Sequence, residues 1–292
     1  MTVLSVLVSS VVMIGMFWVV PTGLALLDGP RPPGWEPLRR AWPLLAAPGA
    51  LALWLPRSAA TAALAAVYAL ATLALALQAP ARLMLTRSLR PGELAVLSAL
   101  AAPSVAGLAL VAERASYPLF GFDLDILALT VPHFHFAGFA AALVAGLVSR
   151  TSDAPAARFA ALSVPVGTLL VLLGYFVDDW AELAGAVVLT AGMAAVSVLT
   201  LRERRELAAD RLTRGLLAVS ALVLVVTMLL ALSWALGEAT GLPHLSLTWT
   251  AATHGLGNAL GFAVCALLAR RRLATDRAFP PLPYPPRTEL PA

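Results

Sequence analysis

Two of the chain's four histidines stand one residue apart in a strongly apolar stretch, VPHFHFAGF, from Val131 to Phe139. An imidazole can accept or deliver a proton near neutral pH or bind a metal ion, and it is costly to bury in hydrocarbon. His133 and His135 are therefore the first candidates for chemistry. On a regular helix residues i and i+2 point about 200° apart, so both face one ligand only if the helix is distorted. Pro132 offers a cause of distortion, because it removes a backbone donor. Otherwise one histidine serves the site and the other hydrogen-bonds a neighbouring helix.

A third imidazole, His254, lies in WTAATHGLGNALGF, four residues before Asn258 and so on the same helix face. Gly257 and Gly261 form a small-xxx-small pair that admits a close neighbouring helix. That contact has two readings: a hydrogen-bonded helix junction, or a junction that brings His254 against the histidine pair. The fourth, His244, falls in the loop GLPHLSLTW. Carboxylates gather in GYFVDDWAEL, where Asp178 and Glu182 are four apart, with Asp179 between them. Neighbouring carboxylates split their proton affinities, which makes Asp178 and Glu182 candidate proton donors; a solvated turn is the plainer reading. Asp123 and Asp125, in GFDLDILAL, read as a cap or as a lid above the histidines.

A divalent metal such as zinc needs three protein ligands and an open position, which His133, His135 and His254 could supply. Haem is possible through two histidines, but there is no CxxCH. No P-loop or Ser-His-Asp pattern is present either, and Cys265 stands alone in an apolar segment.

The elements that position these residues follow from composition. Of 292 residues 60% are hydrophobic and only 12% charged, against about a quarter charged in a soluble domain. Apolar segments fall at 2–27, 41–56, 58–79, 94–112, 126–149, 158–177, 181–201, 215–236 and 249–269. The expected fold is all-α: a polytopic transmembrane bundle of about nine spans, or eight if the second, carrying Pro43 and Pro48, is re-entrant. One membrane domain is expected over 1–278, followed by a proline-rich disordered tail over 279–292.

Every basic residue is arginine. Alternate loops carry most of them: Arg31, Arg39 and Arg40; Arg82, Arg87 and Arg90; Arg150 and Arg158; Arg202 to Arg214; Arg270 to Arg272. The positive-inside rule then puts the N-terminus outside and the C-terminus in the cytoplasm. Trp54, Trp180, Trp234 and Trp249 fall near the outer boundary as an interfacial belt. His133, His135 and His254 come out roughly 8–13 Å below the outer surface, under the carboxylates. No basic stripe with interleaved aromatics suggests nucleic acid. The partners expected are the lipid bilayer and a hydrophobic small molecule.

At PHFHFAGF and THGLGNALGF the sequence resembles the YndJ-like family of bacterial polytopic membrane proteins. The resemblance implies a bacterial cytoplasmic membrane, a protein sometimes labelled a transporter, and His133, His135, His254 and Asn258 as parts of one feature. It supplies no catalytic residues.

These residues lead to an expected membrane-embedded enzyme with an outward-facing pocket for a lipid-like or isoprenoid-like substrate. The expected reaction is a non-redox rearrangement, isomerisation or cyclisation. His133, His135 and His254 would be acid–base groups or metal ligands, with Asn258 orienting His254. Phe134, Phe136, Tyr175 and Asp179 would contact the substrate. The alternative is a small-molecule or proton-coupled transporter, which would need polar groups through the full thickness.

Overall fold

A computed structural model describes residues 3–150, 152, 154–207 and 210–278, and the tail 279–292 falls outside them. The described residues form helices and no strands. Eight helices are long and apolar enough to cross a membrane: α1 (Val3–Ala25), α3 (Ala59–Thr86), α4 (Pro91–Arg114), α5 (Leu124–Arg150), α6 (Pro155–Gly174), α7 (Asp179–Glu206), α8 (Arg211–Thr240) and α9 (Leu247–Thr275). Large apolar side chains point outward along them at helical spacing, as with Leu222, Val225, Val226 and Leu229 of α8. A water-soluble bundle would bury that stripe, whereas a bilayer solvates it. The chain is a multi-pass membrane protein.

The remaining helix, α2 (Trp35–Ala52), carries Glu36, Arg39 and Arg40 in its first turns and Pro43 and Pro48 further on. It packs antiparallel to α1. Trp42 Nε1 donates to the Met16 carbonyl at 2.8 Å, and Ser9 Oγ reaches the Leu53 carbonyl at 3.5 Å. Eighteen residues rise about 27 Å, close to a bilayer's apolar thickness. α2 is not among the eight helices that are long and apolar enough to cross, so the count matches the lower of the two expected from sequence.

Charge pairs tie loops together at both ends. At the end where α1 begins, Arg57 Nε binds Glu113 Oε1 at 2.8 Å, and Arg114 reaches the carbonyls of Ala52 and Leu55. At the opposite end, buried Arg82 binds Glu93 at 2.6 Å and donates to the Asp28 carbonyl, while Arg150 binds the other oxygen of Glu93. Arg270 pairs with Glu203 at 2.7 Å there. Side-chain oxygens start four helices by accepting an otherwise unpaired backbone N–H: Ser58 for α3, Asp178 for α7, Asp210 for α8 and Ser246 for α9.

Two features set the packing around the site. First, α6 and α7 cross with almost no gap. A Cβ on Gly167 would lie 2.6 Å from the Leu189 backbone, and one on Gly174 would lie 2.4 Å from the Glu182 backbone. Gly185 and Gly192 face back in the same way. Secondly, π-helical turns interrupt α1 at Gly15–Val19, α5 at Phe134–Ala141, and α9 at Ala251–Gly255 and Gly257–Val264. These stretches touch one another in the middle of the bundle. A π turn inserts an extra residue and turns the faces before and after it relative to each other.

Candidate functional site

The π turn of α5 begins directly after His133, where Pro132 has weakened the helical ladder. The two histidines on either side of Phe134 face opposite ways. His135 is fully buried. Its Nδ1 donates to the Val131 carbonyl at 2.7 Å, and its Nε2 accepts from the Tyr68 hydroxyl at 2.5 Å. The Tyr68 ring stacks nearly parallel on the imidazole, and Trp42 meets Tyr68 edge-on. Gly15 leaves room for the ring, since a Cβ there would come within 2.9 Å of His135. His135 is therefore a satisfied polar group in the helix core.

His133 points the other way, into a cavity of about 250 Å³ lined by α1, α5, α6, α7, α8 and α9. It has no hydrogen-bond partner among the described residues, and its ring meets only the edge of Phe134. His254 lines the same cavity. Phe134, Phe136 and Tyr175 are also on the wall.

His254 is held in a closed polar loop. Its Nδ1 lies 2.7 Å from the Thr227 carbonyl, which can only accept, so Nδ1 carries the proton of the neutral ring. Nε2 is then an acceptor, and Asn258 Nδ2 donates to it at 3.1 Å. The amide oxygen of Asn258 accepts from the Thr227 hydroxyl at 2.7 Å. Gly257 and Gly261 make the loop possible, because their missing side chains let α9 close on Thr227 and Val223. The close junction is thus with α8. Thr227 was not among the residues expected from sequence, although a lone hydroxyl in LVLVVTMLL is a signal that it needs a partner.

The three-histidine ligand set does not assemble. Among the described residues no group of three His, Cys, Asp or Glu side chains is arranged to hold a metal ion. The cause is geometric: His135 faces Tyr68 on the far side of α5, with both of its nitrogens engaged.

At the end where α1 begins, the cavity continues into a wider cleft of about 400 Å³ lined by Asp178, Asp179, Glu182, Glu238, His244 and Ser246, among others. Ile126, Tyr175, Glu182, Trp234 and Leu247 border both spaces and form the neck between them. Trp234 thus turns inward rather than joining an outer belt, whereas Trp54, Trp180 and Trp249 are exposed. Asp178 is not on a shared helix face with Glu182. It precedes the first turn of α7 and caps it, Oδ1 accepting from Ala181 N at 2.8 Å. Glu182 is 8% exposed. The Tyr175 phenol and the carboxylates of Asp179 and Glu238 line the same cleft. His244 lies with Nε2 3.2 Å from Glu238 and Nδ1 2.9 Å from the Leu245 carbonyl, seated against Gly237. Over the rim, Phe120 and Phe122 pack edge-on against Phe176, and Phe122 also meets Tyr175. Asp123 and Asp125 stand at the start of α5 beside this aromatic collar, and Asp123 makes no side-chain cap.

Apart from Leu4, Leu7 and Val8, every residue lining the two spaces falls within 10–262, the stretch matched by the family model for YndJ-like proteins. The chain belongs to the YndJ-like family. No curated protein and no solved structure matches it. In this YndJ-like protein the resembling motifs are the π turns of α5 and α9. They contribute His133, His254 and Asn258 to one wall and send His135 elsewhere.

Deeper in the bundle the cavity stops at Ala141, Met193, Met228 and Phe262. Beyond them on the same helices Leu143, Val144, Val196, Ala263 and Leu267 are completely buried. The space is therefore a dead end, apolar at depth and acidic at its mouth.

Proposed function

We propose that this YndJ-like protein is a membrane-embedded enzyme that rearranges a lipid-like substrate by moving a proton, as in isomerisation or cyclisation. The observation that carries this reading is a free imidazole in a largely apolar chamber with a buried carboxylate at its neck. His133 has both ring nitrogens available, one to give a proton and one to take it. It lies roughly 14 Å along α5 from the start of that helix, and Glu182 roughly 5 Å along α7. A substrate reaching inward from the cleft would meet Glu182 first and His133 further down.

Removal of a proton at one position and its return at another shifts a double bond or closes a ring without an oxidant. His133 removes the proton in this scheme and, from its protonated ring, returns it at the second position, while Glu182 and Tyr175 at the neck hold the other end of the substrate. His254, fixed by Asn258 and Thr227, is a rigid part of the wall that shapes the chamber beside His133. Phe134 and Phe136 hold the chain, and exclusion of water protects the reactive intermediate. A transporter would need a route onward, and the dense packing below Met193 and Phe262 favours a chamber over a path.

The arginine-rich end supports an N-terminus outside and a cleft opening away from the cytoplasm of a bacterial cell. The test compares membrane lipids by untargeted chromatography and mass spectrometry in cells making the wild type, His133→Ala or Glu182→Gln. A mass-neutral change in retention that requires the wild type supports the reading. Identical lipid profiles for wild type and His133→Ala, at matched protein levels, would overturn it.

A further inference from the structure

The polarity of the two connected spaces constrains the other end of the substrate. Resting on the reading of the chamber as a lipid site, we propose that the substrate's head group is cationic, an amine rather than a phosphate or carboxylate, and that it docks in the acidic cleft. The head would sit between Glu182 and Glu238 with its apolar chain below the neck.

Three observations carry this. Glu182 is more than nine-tenths buried, lines both spaces and has no cation beside it. It shares the cleft wall with the Tyr175 phenol and with the carboxylates of Asp179 and Glu238. A buried carboxylate without a counter-charge is costly, and an ammonium group that donates several hydrogen bonds would relieve it.

The second observation is the absence of arginine from the residues lining the cleft or the chamber. Arg57 and Arg114, which lie at that end of the bundle, are both bound to Glu113. Phosphate recognition draws on arginine forks or helix N-termini. Here the nearby start of α7 is capped by Asp178, whose carboxylate stands where an anion would go. An anionic head would meet Asp178, Asp179, Glu182 and Glu238 together.

The third observation concerns His244, the basic side chain on the cleft wall. It is held against Glu238 and the Leu245 carbonyl, so neither ring nitrogen is left for a ligand. Tyr175 and Trp234 at the neck offer aromatic faces to which a cation is attracted.

The experiment uses the full-length protein in nanodiscs of uncharged lipid. It measures equilibrium binding of radiolabelled decylamine, with decanol and decyl phosphate as competitors below their micellar range. Decylamine should bind most tightly, decanol more weakly and decyl phosphate weakest. Glu238→Gln, at a half-exposed position, should weaken decylamine by about tenfold, or 1.4 kcal/mol, and leave decanol unchanged. Glu182→Gln should do the same more strongly. Met193→Trp, which fills the closed end of the chamber, should weaken all three. Decyl phosphate binding as tightly as decylamine, with Met193→Trp still blocking both, would overturn the head-group assignment and leave the chamber reading standing. Binding that is indifferent to Met193→Trp would overturn both. If Glu182→Gln does not yield folded protein, Glu238→Gln decides alone, and an unchanged preference for the amine in it counts against the proposal.

Discussion

Thr227→Val tests the most specific piece of geometry in the site. Valine keeps the shape of threonine and removes one hydroxyl, so the Asn258 amide oxygen loses its donor at 2.7 Å. The backbone carbonyl of residue 227 is untouched and still accepts from His254 Nδ1. Two scales bound the cost. Hydrogen bonds between membrane helices average about 0.6 kcal/mol and reach about 1.7. A buried acceptor left unsatisfied costs about 1–3 kcal/mol. Asn258 is only half-buried, which puts the expected loss near 1 kcal/mol. Stability is measured by reversible unfolding in mixed micelles. A double-mutant cycle with Asn258→Leu should show that most of the loss is shared between the two side chains. Nitrogen-15 NMR of histidine-labelled protein supplies the second readout, practical with only four histidines. The wild type should show His135 and His254 as neutral rings protonated at Nδ1, and Thr227→Val should preserve both. A His254 protonated at Nε2 in the wild type, or an additive double mutant, would refute the loop as described.

Arg82→Ala should cost about 3 kcal/mol, the low end for breaking a buried pair, because Arg150 still holds one oxygen of buried Glu93, whereas Arg31→Ala should cost about 1 kcal/mol or less; chemical unfolding compares them. Gly185→Ala places a Cβ 2.4 Å from the Val171 backbone and should destabilise by about 1–3 kcal/mol, while Gly215→Ala, with open space, should be neutral or mildly stabilising by the same measurement. Asp210 caps α8 through Thr213, whose hydrogen bonds hold its carboxyl down at about 2 against an ordinary 3.8. Its contribution is complete above the ordinary value and is lost as pH falls through about 2, so the stability gap between wild type and Asp210→Asn should close over that interval. In a Cys265→Ser background, Ser116→Cys should react with an impermeant maleimide on intact cells, and Leu89→Cys only after lysis; the reverse pattern would invert the proposed orientation.

Much of the bundle could be read from the sequence because hydropathy and arginine spacing respond to one physical variable, the edge of the hydrocarbon. Helices then overran the apolar segments: α3 continues to Thr86 although its hydrophobic run ends near residue 79, because Arg82 finds Glu93 and backbone carbonyls. The second segment was ambiguous because its early charges and prolines resemble a re-entrant loop, and only its contacts with α1 give its length and direction.

The site was legible in parts. Spacing placed His133 and His135 on opposite faces and His254 beside Asn258, and the structure has both arrangements. Spacing could not say which histidine faced the cavity, since that depends on the π turn that follows Pro132. Tyr68 and Thr227 went unread because their partners lie 67 and 31 residues away. Asp178 showed its type but not its duty, which emerged once α7 was seen to begin at the next residue.

The π turn of α5 has one more consequence, concerning how such a protein can change. Each regular helical residue advances the side-chain direction by about 100°. Deleting one residue from Phe134–Ala141 would restore α geometry and swing the segment bearing His133 by about that angle against the half anchored by Gly146 on Gly92. The histidine would leave the cavity with its identity intact. In this fold the length of a helix acts as a dial on which face meets the ligand. Gains and losses of single residues, more than exchanges of one side chain for another, would then mark where relatives of this chain part ways in chemistry.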